Sequence, residues 1–258
     1  PDARGRVSDG EPTAGGTRPG ARTAAGAGGP GRLLAGVVVA VATALVIAGV
    51  TIALFFNPAW VSFAQARADA AAWTGWTPAQ VDEVTRDVVL EVWLGPGTFE
   101  QQLDGQPVFS ERERSHMADV RRVVLWFYAA VLLGAAALLV AGLASRGSPW
   151  FWRAVGTGAK VLAVGTIAVG VAFFLLFDTA FTLFHELFFA EGTWTFDPAS
   201  DRLVQLFPYQ FWTETTVAVA IAGLVLATGV WAVAQRLAGP RGGTRAPNGA
   251  LVSGSDAS

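Results

Sequence analysis

The sequence contains no cysteine, only one lysine, Lys160, and only two histidines, His116 and His185. The absence of cysteine excludes disulfide bonds, thiolate catalysis, cysteine-ligated metal sites and a lipid attached to cysteine. Charged residues make up 15% of the chain, whereas hydrophobic residues make up 52% and fall in long uninterrupted runs. This composition is typical of a protein embedded in a membrane.

Four apolar runs are long enough to cross a hydrocarbon core of about 30 Å, at about 1.5 Å of helix per residue. They predict an all-α integral membrane protein with four transmembrane helices and two extracytoplasmic helical loops. The spans are expected at 33–56, 123–144, 158–177 and 215–234. The remaining segments are loop 57–122, a turn at 145–157, loop 178–214, and Gly-rich tails, predicted to be disordered, at 1–32 and 235–258.

The charges are divided unevenly between the two sides of these spans. The tails and the 145–157 turn, with Lys160, hold 11 basic and four acidic residues, whereas the two large loops hold seven arginines and 16 acids. Because basic residues are retained on the cytoplasmic side, we expect both termini in the cytoplasm and both loops outside. Topology therefore accounts for the basic tails, and no nucleic-acid partner is expected.

Three short patterns predict helices at the loop borders. Thr77-Pro78 is an N-cap followed by a first-turn proline, and a helix to about Trp93 places Val81, Val84, Val88 and Val92 on one face. Asp197-Pro198 has the same pattern. Ser110 with Glu113 forms a capping-box pattern, which predicts a helix that continues into the second span.

The two histidines are the candidate reactive groups, since each lies next to an apolar run. On a helix, His116 shares a face with Asp119, which could hold the imidazole in one tautomer. The alternative is a solvated face at the membrane edge. For His185 the alternative is one polar residue in an aromatic interface belt, and its HELFF sequence departs from the HExxH zinc motif at Phe189.

A metal site is a further possibility for the same residues. His116 and His185 with Asp119, Asp197 or Asp201 would supply enough ligands for zinc, although no local spacing favours it.

The chain resembles the bacterial lipoprotein intramolecular transacylase family of four-span membrane proteins. The resemblance depends on motifs in the two loops, at Glu113–Val120 (ERSHMADV), Phe184–Phe189 (FHELFF), Trp194–Val204 (WTFDPASDRLV) and Phe207-Pro208. With the matching topology it covers about 40–235, whereas the arginine-rich N-terminal tail and the Ala/Trp-rich segment 59–76 depart from the family pattern.

The resemblance implies an acyltransferase of the bacterial cytoplasmic membrane that acts on diacylglyceryl-modified lipoproteins. It would move the sn-2 acyl chain to the α-amino group of the N-terminal cysteine, giving a lyso-form lipoprotein. The family's two essential histidines correspond to His116 and His185. The expected supporting residues are Glu113, Ser115, Asp119, Asp197 and Asp201.

The expected chemistry suits two imidazoles on the outer face of the membrane. An α-amine of pKa about 7.7–8.0 needs a base to take its proton, and the departing alkoxide needs an acid. No metal, thiol or other cofactor is needed. Two other functions stay open: a non-enzymatic scaffold or sensor that binds a lipid or partner through its outer loops, and a metal-dependent hydrolase at the membrane surface.

Overall fold

The computed structural model describes residues 29–190 and 192–239 of the chain. Most of both predicted tails, at 1–28 and 240–258, lies outside the described residues, as does Glu191. The elements in chain order are α1 (Pro30–Phe55), α2 (Pro58–Arg67), α3 (Ala70–Thr74), α4 (Pro78–Leu94), β1 (Gln102–Leu103), β2 (Gln106–Pro107), α5 (Glu111–Ser145), α6 (Pro149–Leu175), α7 (Phe177–Phe188), α8 (Arg202–Leu206) and α9 (Tyr209–Ala238).

Four helices of the described part, α1, α5, α6 and α9, are long and apolar enough to cross a membrane. Helix α6 packs on α9, and α1 packs on both α5 and α6. Small residues allow the close approach, since a Cβ at Gly158 would collide with the backbone carbonyl of Ala40. The outer faces keep large apolar side chains exposed, such as Leu133 and Leu143. The predicted all-α fold with four spans is confirmed, and the protein is a multi-pass membrane protein.

The helices extend beyond several predicted span borders. Predicted turn 145–157 is reduced to 146–148, because Arg146 takes a left-handed conformation that ends α5 and Pro149 starts α6 in its first turn. Helix α1 starts at Pro30, before the predicted residue 33. The third span ends near its predicted border, where α6 gives way to α7 at Leu176.

The two loops fold together into one packed layer at one end of the bundle. Its core contains the four valines predicted to share one face of α4, together with Phe99, Met117 and Leu206. Helix α4 begins with a capping box between Thr77 and Gln80. Because Met117 lies on α5 and Leu206 on α8, this core holds the start of the second span against the second loop.

The predicted helix start at Asp197-Pro198 is wrong. The Asp197 carbonyl accepts hydrogen bonds from the backbone of Ser200 and Asp201, and its carboxylate accepts one from the Ala199 N–H. These bonds close a single turn, because an aspartate side chain can satisfy the backbone two residues on without a helix following. Helix α8 starts only at Arg202.

Candidate active site

Helix α5 carries His116 two turns from its N-terminus, and a capping box fixes that terminus. The Ser110 N–H donates to Glu113 Oε2 at 2.8 Å, and the Glu113 N–H donates to Ser110 Oγ at 3.3 Å. The capping box predicted from the sequence is therefore confirmed. His116 is buried, with 6% of its surface exposed.

Glu113 also joins α5 to the second loop. Its Oε1 accepts a hydrogen bond of 2.7 Å from the backbone N–H of Leu203, in the first turn of α8. Glu113 is only 2% exposed, and its bond to Leu203 is made away from water. Hydrogen bonds to a buried carboxylate are stronger than neutral ones. Glu113 therefore fixes the position of His116 relative to the second loop without touching the imidazole.

Helix α7 carries His185 on the one face that is turned inward. His185 is 9% exposed, whereas Leu183 and Leu187 on the opposite side are 60% and 75% exposed. A short helix with one wide apolar face is typical of an element that lies in the membrane interface. His185 thus faces the protein from an element whose other side is suited to lipid.

The two histidines meet between the loops. Their ring centroids are 6.1 Å apart and the ring planes differ by 20°, so the two imidazoles converge on one site. Aromatic side chains surround the pair: Phe189 and Phe196 contact the His116 ring, and Phe181, Phe189 and Trp194 contact the His185 ring. The site is therefore mainly apolar.

The hydrogen bond of His185 fixes its tautomer. Nδ1 lies 2.7 Å from the backbone carbonyl oxygen of Phe181. A carbonyl only accepts hydrogen bonds, so Nδ1 carries the proton and Nε2 of the neutral ring keeps its lone pair. Burial lowers the pKa of His185 below its usual 6.5, and the bond to Phe181 partly opposes this shift. His185 is therefore a neutral base at pH 7.

Two buried polar atoms of this cluster have no hydrogen-bond partner within residues 29–190 and 192–239. They are Nδ1 of His116 and Nε1 of Trp194, the indole that contacts His185. Buried polar groups are nearly always paired, so unpaired ones at one site suggest a polar partner that joins from elsewhere. An indole N–H can only donate, which suits a carbonyl oxygen. Trp194 belongs to a motif in the sequence, but no pattern there singled out its N–H.

Asp119 does not hold His116 in one tautomer as the sequence suggested. Its Oδ1 accepts a 2.7 Å bond from Arg122, three residues further along α5, and neither nitrogen of His116 is bonded to it. Arg122 and His116 both lie three residues from Asp119, and Arg122 carries a full positive charge, which a carboxylate prefers. The Ser115 side chain is exposed, and its hydroxyl makes no hydrogen bond with the other described residues. Neither predicted supporting residue is hydrogen-bonded to the imidazole pair.

Asp201 supports the site through Arg112, which the sequence did not identify. An ion pair of 2.7 Å joins the two side chains, and the same carboxylate accepts the Asp197 N–H. The Arg112 guanidinium lies 5.1 Å from the centre of the Phe196 ring, which in turn contacts His116. Asp197, Asp201 and Arg112 therefore hold Phe196 against His116.

Residues 29–190 and 192–239 contain no group of three or more His, Asp or Glu side chains arranged to hold a metal ion. The three aspartates considered as ligands are directed elsewhere: Asp119 to Arg122, Asp197 to the Ala199 N–H, and Asp201 to Arg112.

Comparison with known proteins gives matches of two kinds. The profile of the family described as the lipoprotein intramolecular transacylase Lit matches residues 36–212, more than half of the chain. An uncharacterized protein of Aquifex aeolicus is 31% identical over 134 residues, which is 49% of this chain and 59% of that protein. The match thus spans less than two thirds of that relative.

Solved structures also resemble this fold. The membrane-integral lipoprotein intramolecular transacylase Lit of Bacillus cereus superposes with a TM-score of 0.68 at 18% identity, covering 80% of this chain and 95% of that one. A variant of that protein with a histidine replaced by alanine superposes with a TM-score of 0.64, covering 80% and 93%. At this identity the likeness concerns the fold, and the profile match over 36–212 shows the family. The chain is a member of the lipoprotein intramolecular transacylase family.

Proposed function

We propose that this protein transfers the sn-2 acyl chain of a diacylglyceryl-modified lipoprotein to the α-amino group of its N-terminal cysteine. The observation that supports this most is the buried His116–His185 pair, with one imidazole held as a neutral base. Membership of the transacylase family gives the same reaction class. The products are an N-acylated lipoprotein and a free glycerol hydroxyl at the sn-2 position.

In this mechanism His185 is the general base. The amine nitrogen forms a bond to the ester carbonyl carbon while Nε2 of His185 accepts its proton. Nδ1 stays bonded to the Phe181 carbonyl, which stabilises the imidazolium that forms and keeps the ring in place. Because burial favours the neutral ring, the base is available before the substrate arrives.

His116 and Trp194 act on the oxygen side of the reaction. The Trp194 indole N–H, which has no hydrogen-bond partner among the described residues, donates to the ester oxygen as negative charge develops on it. Collapse of the tetrahedral intermediate breaks the bond between the carbonyl carbon and the glycerol oxygen. His116 donates a ring proton to that oxygen and receives the proton held by His185, so both histidines end the cycle neutral.

The aromatic surroundings favour transfer to the amine over hydrolysis. Phe181, Phe189 and Phe196 cover the two imidazoles, and an apolar site from which water is excluded protects an ester under attack. The amine and the ester belong to one lipid-anchored molecule, so holding that molecule in place supplies much of the rate. The apolar face of α7 suits entry of this substrate from the bilayer.

The charge distribution supports a topology with both termini in the cytoplasm and the imidazole pair on the outer face of a bacterial cytoplasmic membrane. The cysteine-free chain offers a clean test. A membrane-impermeant maleimide should label Ser200→Cys in intact cells and label Arg146→Cys only after lysis. The opposite pattern would reverse the topology.

Mass spectrometry of N-terminal lipopeptides tests the reaction itself. Cells with the wild-type gene should contain lyso-form lipopeptides with an N-acyl group, and cells carrying His185→Asn should retain the diacylglyceryl form. A scaffold or sensor would tolerate His185→Asn, and a hydrolase would remove the acyl chain without acylating the amine. Unchanged acyl position after gene deletion would end the transacylase proposal.

A further inference from the structure

Helix α5 has an open cavity of about 480 Å³ beside residues 118–126 that the mechanism does not use. It is lined by Arg121, Arg122, Leu125 and Trp126 of α5 and by Gly97 of the turn after α4. Because Arg121 and Arg122 lie five and six residues after His116, they point away from the imidazole face. The cavity therefore combines two guanidinium groups with an apolar floor, apart from the histidine pair.

The loop after α4 fixes the guanidinium of Arg121. Its Nε donates to the Glu91 carbonyl at 3.3 Å and its Nη2 to the Gly95 carbonyl at 2.8 Å. Gly97, at φ +88°, makes room, since a Cβ there would lie 3.1 Å from Arg121 Cδ. Nη1 makes no hydrogen bond within the described residues. The half-buried guanidinium of Arg121 is thus fixed in one orientation.

Arg121 also lacks a carboxylate partner, unlike most arginines of this layer. Of the seven arginines in the two loops, five form ion pairs, namely Arg67, Arg86, Arg112, Arg114 and Arg122. Arg202 lies over the Trp76 ring and bonds to Thr74 and Gln205. The nearby Glu91 carboxylate is occupied by the N–H groups of Gly97 and Thr98. Arg121 thus has no counter-charge in ion-pair contact within 29–190 and 192–239.

Arg121 and Arg122 lie at the depth where lipid phosphates are found. Residues 123–145 carry no charge and, at about 1.5 Å per residue, extend about 34 Å, which matches the hydrocarbon core. Arg121 and Arg122 directly precede this segment. Trp126, one turn below, is 73% exposed, as expected of a tryptophan at the interface.

We propose that this cavity binds the headgroup phosphate of an anionic membrane phospholipid. Arg121 Nη1 and the free nitrogens of Arg122 donate to the phosphate oxygens, and Leu125 and Trp126 contact the glycerol and the upper acyl chain. Arg122 is ion-paired with Asp119, whereas the Arg121 guanidinium has no ion pair within the described residues, and this cation suits a phosphodiester without a compensating ammonium. The bound lipid would join α5 to the turn after α4 and stabilise the layer that carries His116.

Lipid titration of the purified full chain in detergent tests this site without any acyl-transfer substrate. Native mass spectrometry should show tighter binding of phosphatidylglycerol than of phosphatidylcholine. Arg122→Gln keeps the backbone bonds of Arg121 and should weaken phosphatidylglycerol binding about fivefold, from about 1 kcal/mol per basic residue. Arg86→Gln is the matched control, since Arg86 is an exposed arginine paired with Asp87 on α4 and should not change binding.

Three results would overturn the proposal. Equal binding of the two lipids would contradict a preference for anionic lipid. Equal losses of lipid affinity for Arg122→Gln and Arg86→Gln would contradict the assignment of binding to this cavity. Displacement of the lipid by millimolar inorganic phosphate would show that the cavity takes free phosphate instead. Because the His116–His185 pair plays no part in this measurement, failure of the lipid site leaves the transacylase proposal standing, and the reverse also holds.

Discussion

The two histidines are held by very different helices. Helix α5 has 35 residues, a capping box at its start and a packed core around Met117, and Glu113 bonds it to α8. Helix α7 has 12 residues and no side-chain cap at its N-terminus. Apart from its packing on α6, α7 contacts the rest of the protein through aromatic rings, whereas the hydrogen bond of His185 stays within α7.

In the proposed reaction, this difference gives the two imidazoles different roles. His116 belongs to the rigid side, where a buried hydrogen bond of Glu113 fixes α5 relative to the second loop. His185 belongs to the side whose apolar face suits the bilayer, from which the proposed lipid-anchored substrate would enter. The proposed base on the lipid side and the proposed acid on the rigid side would meet the ester from opposite directions. Local stability is lower for elements with few packed contacts, so α7 is the side expected to move.

Replacing either histidine by Asn should have the largest effect on activity. His185→Asn and His116→Asn should each lower kcat by about 10²–10⁴-fold, because each removes a proton-transfer group. The measurement is transacylation of a diacylglyceryl lipopeptide by purified protein, with thermal unfolding as the control for folding.

The double variant then tests whether the two helices act together. Groups that act as one unit give losses that are not additive, so the double variant should lose little more than the worse single one. Fully additive losses would mean that the imidazoles work in separate steps. Near-normal activity of either single variant would exclude that histidine from the chemistry.

The next largest effect is expected at Trp194, on the α7 side. Trp194→Phe keeps an aromatic ring beside His185 but removes the unpaired N–H. If this N–H stabilises the oxyanion, kcat should fall by about 10²–10³-fold with little change in KM. Trp73→Phe is the control, since Trp73 is 53% exposed and makes no contact with the imidazole pair. A loss confined to KM would instead indicate a packing role.

The spans and helix starts were predictable from the sequence because their signals are local. Apolar runs indicated the four spans, and two helix starts were indicated by the N-cap with a first-turn proline at Thr77-Pro78 and by the capping box at Ser110. Asp197-Pro198 carries a similar signal, but the Asp197 carboxylate closes a turn without a helix. The 145–157 segment was misassigned because its tryptophans and arginines resemble an interface turn, whereas Pro149 starts a helix there.

The site was predictable in its two central residues and less so in its surroundings. Each histidine lies next to an apolar run, and the charge distribution predicts both on the same side of the membrane. The two rings do lie close together. Their supporting contacts depend on distances between elements far apart in the chain, such as Arg112 to Asp201 and Glu113 to Leu203. Asp119 had two possible partners on its own helix, and the cation Arg122 competed successfully with His116.

The rigid side can be weakened on its own through Glu113. Glu113→Gln replaces a buried carboxylate that accepts bonds from Ser110 and Leu203, and should lower the free energy of unfolding by about 1.5–3 kcal/mol. Glu111→Gln is the matched control, since Glu111 lies exposed in the same turn and should change stability by less than about 1 kcal/mol. Equal shifts in thermal unfolding for both variants would contradict the special role of Glu113.

The smallest predicted effect is a pH dependence of kcat/KM. It distinguishes protonation of His185 from protonation of the substrate amine. Burial lowers the pKa of His185 below 6.5, so the ring is still mostly neutral at pH 6.5. The substrate α-amine, with pKa about 7.7–8.0, loses its free form first. Log(kcat/KM) against pH should therefore have a slope of one between about pH 7.5 and 6.5, and steepen towards two only at lower pH. A slope that already approaches two above pH 6.5 would mean that His185 is readily protonated and that its aromatic surroundings do not keep it neutral.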